Sequence, residues 1–382
     1  MIRVVAAVVV TVACWSIAHH TSDQRYWITD TGVYQKYGDA IAKGSVPYRD
    51  FELEYPPAAL PVFALPSIGH EGDRPAYDRW FDREMAFCWC LVTVGVALLS
   101  RGPVPIALVA ATPVLLGPVI LSRFDAWPAA LALLALAAFV RRRLTIAAVL
   151  LGVAIAAKLW PAVILPLAVI QLGRRRGAAF AGGVVAVVAT IFLPFAVIAP
   201  GGVWHSLHRQ AVRPLQIESL SSAVLIAVHY MFGLRVGIES TFGSQNILSP
   251  AAHPAALATT VLLLLALIFV WWRARDLVVG AAAAVTAFVA FGKVFSPQFM
   301  VWIAPFAAVV PDVATWILLV AALLLTQTWF PRHYWRLSRG LYERESLEVL
   351  VRDLVVVALF VVTAWRSRMV QAQLPGRRPP TR

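Results

Sequence analysis

Asp30 is the residue in this chain best placed to act as a base. It opens a segment, Thr31 to Lys43, with a helical pattern that stops at Gly44, with Pro47 beyond. Tyr34, Tyr37 and Ile41 follow Asp30 at i+4, i+7 and i+11, on one face of such a helix. An aspartate here can be an N-cap. It can also be a carboxylate that takes a proton from a hydroxyl, beside rings that suit a sugar face. A second polar run follows, Tyr48-Arg49-Asp50-Phe51-Glu52-Leu53-Glu54-Tyr55-Pro56-Pro57. Its acids alternate with apolar residues, so an extended backbone would put all three on one side. They read either as a solvated edge or as hard oxygen ligands for a divalent ion. The proline pair forbids helix at Tyr55 and sets a rigid corner before the apolar 58–68 stretch. The corner fixes Glu54 and Tyr55 in place.

Three further groups carry candidate chemistry. Arg123-Phe124-Asp125 is either a local salt bridge or a cation presented to a phosphate. Lys158, one of only four lysines, sits between two apolar runs, where an ammonium is costly unless it faces a cavity or a partner. Lys293, Ser296 and Gln298 share a short turn and could aim donors at the same region. His205 and His208 stand at helical spacing beside Trp204, as in an amphipathic interfacial helix. Asn246, the only asparagine, lies in no glycosylation sequon. Cys14, Cys88 and Cys90 lie in apolar runs, and their spacing indicates neither a zinc site nor a disulfide framework.

The elements that must hold these groups are apolar helices. Sixty percent hydrophobic residues, 14% charged residues and a mean hydropathy of +0.74 are outside the range of soluble globular domains. Apolar runs fall near 2–18, 84–100, 104–121, 126–140, 144–157, 161–172, 178–199, 254–272, 276–292, 299–310, 312–330 and 349–365. We therefore expect an all-α, polytopic transmembrane bundle of ten to twelve helices. Stretches 58–68 and 219–232 read as re-entrant or interfacial. The first run could be a signal peptide; the even number of crossings favours a retained helix.

Charge gives the orientation. With twelve crossings, the connections on the side of both termini carry fifteen basic residues and two acids, Asp276 and Asp312, leaving 18 of each sign opposite. The positive-inside rule makes the basic side cytoplasmic. Loops 19–83, 200–253 and 331–348 are then extracytoplasmic. The 65 residues from His19 to Arg83 hold ten of the chain's 20 acids, with Glu84 at their edge. Residues 1–365 read as one transmembrane domain and 366–382 as a basic cytoplasmic tail, disordered from Gln371. Arginine triplets at helix ends are topological anchors, which disposes of a nucleic-acid partner despite the net charge of +13.

At these residues the chain resembles the GT-C superfamily of polytopic glycosyltransferases. More narrowly it resembles glycosyltransferase family 87, the polyprenyl-phosphate-mannose-dependent mannosyltransferases of actinobacteria and their relatives. The resemblance rests on Asp30, the Tyr34…Gly44…Pro47-Tyr-Arg-Asp-Phe51…Glu54-Tyr-Pro-Pro57 series, Arg123-Phe-Asp125, Lys158-Leu-Trp-Pro161 and Lys293-Val-Phe-Ser-Pro-Gln298. Arg123-Phe-Asp125 stands where many relatives carry Gln-x-Asn. The resemblance implies an inverting transfer of a hexose, mannose foremost, from a polyprenyl-phosphate donor to a lipid or glycan acceptor at the outer membrane surface, as in envelope glycolipid synthesis. It implies Asp30 as base, and Lys158, Arg123 and Lys293 as cations for the leaving phosphate. Tyr34, Arg49, Asp50, Glu54, Tyr55, Asp125, Ser296 and Gln298 are then expected around the substrates. No cofactor is expected, although the acids of the first loop leave a divalent metal open. The alternatives are a transporter or flippase of lipid-linked sugars, which would bury ionisable groups at mid-membrane, and a non-catalytic scaffold.

Overall fold

The computed structural model describes residues 2–23 and 27–369. The basic tail beyond Met369 lies outside the described residues, and residues 366–369 complete the last helix.

In chain order the helices are α1 (Ile2–Thr21), α2 (Thr31–Ala42), α3 (Leu60–Ala64), α4 (Arg74–Leu99), α5 (Val104–Leu116), α6 (Ala126–Val140), α7 (Leu144–Ala157), α8 (Leu165–Leu172) and α9 (Arg174–Ile198). They continue with α10 (Pro200–Ala211), α11 (Leu220–Phe232), α12 (Ala252–Arg273), α13 (Leu277–Ala290), α14 (Met300–Ala308), α15 (Val313–Trp329), α16 (Tyr334–Gly340) and α17 (Glu343–Met369). Each of the twelve apolar runs carries a helix, and the two stretches read as re-entrant or interfacial are α3 with its flanking 3₁₀ turns and α11. The architecture is an all-α bundle that fits a multi-pass membrane protein. Among the described residues, four helices are long and apolar enough to cross a membrane by length and composition alone; α15 and α16, bent by 70°, make a fifth if counted as one span. The expected count of ten to twelve therefore includes short helices such as α6, α7 and α13, which lean on neighbours. α4 and α17 are long but begin with charged turns.

Packing sorts the helices. α6, α13 and α14 are buried almost throughout. The run Gly280-Ala-Ala-Ala-Ala-Val in α13 gives neighbouring backbones the close approach that packing in lipid requires. α9 and α12 turn Leu193, Val197, Leu262 and Leu265 outward, as helices bathed in lipid would.

The two ends of the bundle differ. At one, Arg3 bonds the Gly102 carbonyl, Arg141 donates to the Leu98 carbonyl at 2.9 Å, and Arg366 pairs with Asp312. The short arginine-bearing connections therefore gather there. At the other end all the large loops meet: Trp127 donates to the Ala58 carbonyl at 3.1 Å, Gln216 N–H to the Lys293 carbonyl at 3.0 Å, and Tyr230 to the Leu341 carbonyl.

One small sheet was not anticipated. β1 (Gly237–Thr241) pairs antiparallel with β2 (Ser244–Leu248) around the Phe242-Gly243 turn. Asn246 is buried in this hairpin, its amide donating to the Thr241 carbonyl and hydroxyl, both at 2.9 Å.

The loop end is built on α2. Its pattern ends where the sequence indicated, with Gly44 at φ +85°. Gly38 lets α2 sit directly on the re-entrant segment, because a β-carbon there would collide with the Phe63 carbonyl and the Ser67 hydroxyl. Ser67 also donates to Asp39 at 2.8 Å, and Gly72 N–H to the same carboxylate at 3.0 Å. Replacing Gly38 with Val is expected to lower stability by about 2 kcal/mol through this clash. A thermal melt of the detergent-solubilised variant checks it; an unchanged midpoint would mean that α2 is not docked this way.

Candidate active site

Asp30 occupies the N-cap position of α2, but its side chain makes no capping bond. Its backbone carbonyl accepts from Val33 and Tyr34 N–H instead. The carboxylate turns away from the helix to form an ion pair with the Arg123 guanidinium, and Tyr34 donates to the same oxygen at 3.4 Å. Arg123 also donates to the Ile28 carbonyl at 3.0 Å, which fixes the strand of chain leading into Asp30. The ion-pair side chains differ in access, with Arg123 6% exposed and Asp30 34% exposed. A carboxylate that remains reachable and is backed by a buried cation is a suitable proton acceptor for a bound hydroxyl.

Arg123 and Asp125, two residues apart, do not form the local salt bridge that the sequence offered as one reading; each takes a partner from another element. Asp125 is fully buried and accepts from Lys158 Nζ at 2.6 Å and from Trp302 Nε1 at 2.5 Å, both on one oxygen. Its other oxygen has no partner among the described residues. Lys158 lies over the Phe124 and Trp302 rings at 4.7 and 4.9 Å. An ammonium has three donors, and one is spent on Asp125. Trp160 stacks on Trp302 at 5.2 Å, so the Lys158-Leu-Trp-Pro161 turn is clamped against α14. Two ion pairs thus share the short segment Arg123–Asp125 and tie α2, α6, α7 and α14 together.

An aromatic wall backs the carboxylate. Tyr34 stacks on Phe63 at 4.6 Å and meets Tyr55 and Phe124 edge-on, both at 5.7 Å. Burial pushes the Tyr34 and Tyr55 hydroxyls well above the usual phenol range, so both remain protonated donors at neutral pH. The Pro56-Pro57 corner acts as read: Pro56 is extended, a 3₁₀ turn begins at Pro57, and Tyr55 is held between α2 and Phe124.

The three alternating acids do not line up. Asp50 turns back to Arg49 at 2.8 Å and to Val46 N–H at 2.7 Å, and these bonds bring it down to about 2, Arg49 contributing most. Glu52 is exposed, 4.0 Å from His205. Glu54 pairs with Arg209 at 2.8 Å, while Gln210 donates to the Glu54 carbonyl at 3.1 Å. Arg49 and Asp50 therefore bond to each other rather than to the centre. Among the described residues no group of three or more His, Cys, Asp or Glu side chains could hold a metal ion.

Lys293 donates to the Ala211 carbonyl at 2.7 Å, and Ser296 to Gln298 Oε1 at 3.1 Å, so part of that turn's donor capacity is internal. Close to Lys293 is a residue that the motifs did not single out. Arg213 feels the charges of Glu54 and Asp30 and the Tyr55 hydroxyl, and forms no ion pair among the described residues. Burial pushes its guanidinium down from the usual arginine value, with Glu54 opposing.

A second buried network lies beside it. Arg352 and Asp353 in α17 are wholly buried and pair at 2.8 Å, and Arg352 also donates to the Glu218 carbonyl at 2.7 Å and lies 3.8 Å above the Phe295 ring. Gln216 bonds the Glu218 carboxylate. The pair sits under the large loops rather than at mid-span. An arginine and an aspartate inside an apolar run are the local signal that could have found it. Burial raises Glu218 to about 8, opposed by Arg352, Arg123 and Arg213 and reinforced by Asp353. The folded state therefore binds the extra proton more tightly than the unfolded chain. Its contribution to stability is full below the unfolded value, about 4.3, and is lost as pH rises through about 8. Thermal melts at pH 5 and 8 should show this decline in the parent and a flatter profile in Glu218→Gln; equal slopes would discount Glu218 as the titrating group.

The sequence model of glycosyltransferase family 87 matches residues 53–297. Glu54, Tyr55, Arg123, Asp125, Lys158, Arg213, Lys293 and Ser296 lie within the match; Asp30 and Tyr34 precede it and Gln298 follows it. Comparison with curated proteins finds no relative. The family match spans more than half of the chain, which therefore belongs to glycosyltransferase family 87, the membrane glycosyltransferases of GT-C type.

Proposed function

We propose that the protein transfers a hexose, mannose foremost, from a polyprenyl-phosphate donor to a hydroxyl of a lipid or glycan acceptor, with inversion. The observation that carries this reading is the reachable Asp30 carboxylate, braced by buried Arg123 at the end of the bundle where the large loops meet. In the reaction the acceptor oxygen bonds to the anomeric carbon as the bond from that carbon to the phosphate oxygen breaks. The acceptor proton passes to Asp30, and the phosphate leaves with the bonding electron pair. One carboxylate is enough, unlike the pair that flanks the scissile bond in glycosidases.

The leaving phosphate needs positive charge in place before the bond breaks. Lys158 keeps donors beyond its bond to Asp125. Arg213 adds charge from the second large loop and Lys293 from the turn after α13. Arg123 acts chiefly by holding the Asp30 carboxylate in place. A donor with a lipid tail suits a centre at the end of an apolar bundle, since the tail can lie among the helices while the sugar stays at the polar end. By the positive-inside rule the arginine-rich end is cytoplasmic, with both termini, and the site faces the opposite side.

The test is direct. Purified protein is given radiolabelled polyprenyl-phosphate mannose or labelled GDP-mannose, with a membrane lipid extract as acceptor. Label should pass to the extract from the lipid-linked donor alone. Transfer from the nucleotide sugar only, or from neither, would overturn the reading.

A further inference from the structure

Glu218 carries a buried carboxyl group that the mechanism above does not use. It lies on the second large loop, in a segment pinned from three sides. Ile217 N–H donates to the Gln245 carbonyl at 3.1 Å and Ile247 N–H to the Leu215 carbonyl at 2.9 Å, so β2 holds one edge. Gln216 N–H holds the Lys293 carbonyl at 3.0 Å, and Arg352 of α17 donates to the Glu218 carbonyl at 2.7 Å. The carboxyl is thereby kept from solvent. Tyr334 of α16 feels the charges of Glu218, Arg123 and Asp30 together, which places Glu218 beside the candidate centre.

The counter-charge around Glu218 is mostly spent. It feels Arg352, Arg123 and Arg213, with Asp353 opposing them. Arg352 pairs with Asp353 and Arg123 with Asp30. Arg213 forms no ion pair among the described residues, and its Nε is buried without a partner there. Hydrogen bonding favours an uncharged acid. Gln216 gives an amide hydrogen to one Glu218 oxygen. The other Glu218 oxygen and the Gln216 amide oxygen are buried acceptors without partners among the described residues. A proton on Glu218 supplies a donor that a carboxylate lacks. An ionised Glu218 needs a cation instead, and Arg213 is the one of the three not already paired.

We propose that Glu218 is a positioning residue that acts through Arg213. As a neutral acid it leaves that guanidinium to the phosphate of the donor; as a carboxylate it competes for it. The proposal rests on the transferase reading above and adds an alkaline switch on donor binding, separate from the base. Burial raises Glu218 to about 8, so its neutral fraction falls about tenfold between pH 7 and 9. The phosphodiester of the donor stays ionised throughout and brings no titration of its own.

The test is equilibrium binding of radiolabelled polyprenyl-phosphate mannose, without acceptor, to the full chain in lipid nanodiscs at pH 7 and 9. A thermal melt checks the fold at each pH, and transfer to the lipid extract is measured in parallel. The parent Kd should rise about tenfold, as the binding-competent fraction falls. Glu218→Gln, a permanently neutral mimic, should hold one Kd across that range. Arg213→Met should bind weakly and equally at both, and it decides alone if Glu218→Gln does not fold. A parent Kd that ignores pH overturns the role of Glu218. So does a parent-like rise in either variant, which would move the titration to another group such as Lys293, whose ammonium burial also pushes down. Transfer in the same samples leaves the transferase reading standing in those cases. The expected switch in binding without any transfer upholds the role of Glu218 at a lipid-phosphate site and overturns the transferase reading.

Discussion

Asp30→Asn is expected to lower the rate of sugar transfer by about a thousandfold, the scale of a lost general base. The amide cannot take up a proton from the acceptor, yet it keeps an oxygen for Arg123 and for Tyr34, which now donate to the carboxylate. The helix start survives as well, because the Asp30 side chain does not cap α2 and the backbone carbonyl that accepts from Val33 and Tyr34 is unchanged. Folding should therefore hold while turnover falls. Initial rates beside a thermal melt separate the two. A variant that transfers at the parent rate removes Asp30 as base; one that fails to fold assigns the pair with Arg123 to structure.

The second large effect concerns the Lys158–Asp125 pair. Lys158→Met leaves a fully buried carboxylate with Trp302 as its only other partner among the described residues, and a buried charge stripped of its counterion costs about 3–5 kcal/mol. Adding Asp125→Leu removes the stranded charge and should restore much of that loss. The double-mutant cycle thus yields a large coupling energy. A single-variant loss below about 1 kcal/mol would place the pair among weak, solvated bridges. The folded double variant then reports on the second role of Lys158. If the ammonium meets the leaving phosphate, transfer stays depressed by about a hundredfold even with stability recovered.

Much of the fold is legible because hydropathy is a local property. Each apolar run is a helix, and the segregation of short arginine connections from long loops of mixed charge is visible in the chain order. The hairpin at 237–248 escaped because its strands are short, polar and partly exposed, so they carry little alternation. At the site, the residue types were legible and their partners were not. Arg123 and Asp125 are two residues apart, so sequence favours a local bridge. Tertiary packing sends one to α2 and the other to the end of α7. The alternating acids at 50, 52 and 54 suggested a common face, but Asp50 turns back to Arg49 and Val46 N–H, Glu54 pairs with Arg209, and Glu52 stays exposed near His205. Arg213 and Glu218 lie in a mixed loop with no period to mark them. Arg352 and Asp353 did carry a mark, two charges within an apolar run, and their burial beside Glu218 shows how strong that signal is.

The central claim, direct displacement assisted by one carboxylate, fixes the stereochemistry of the product. The measurement is NMR of the anomeric centre in glycolipid formed by the parent protein from a donor of known configuration. The account predicts inversion at that carbon. Retention would require a second displacement and a nucleophile on the protein, and would contradict it.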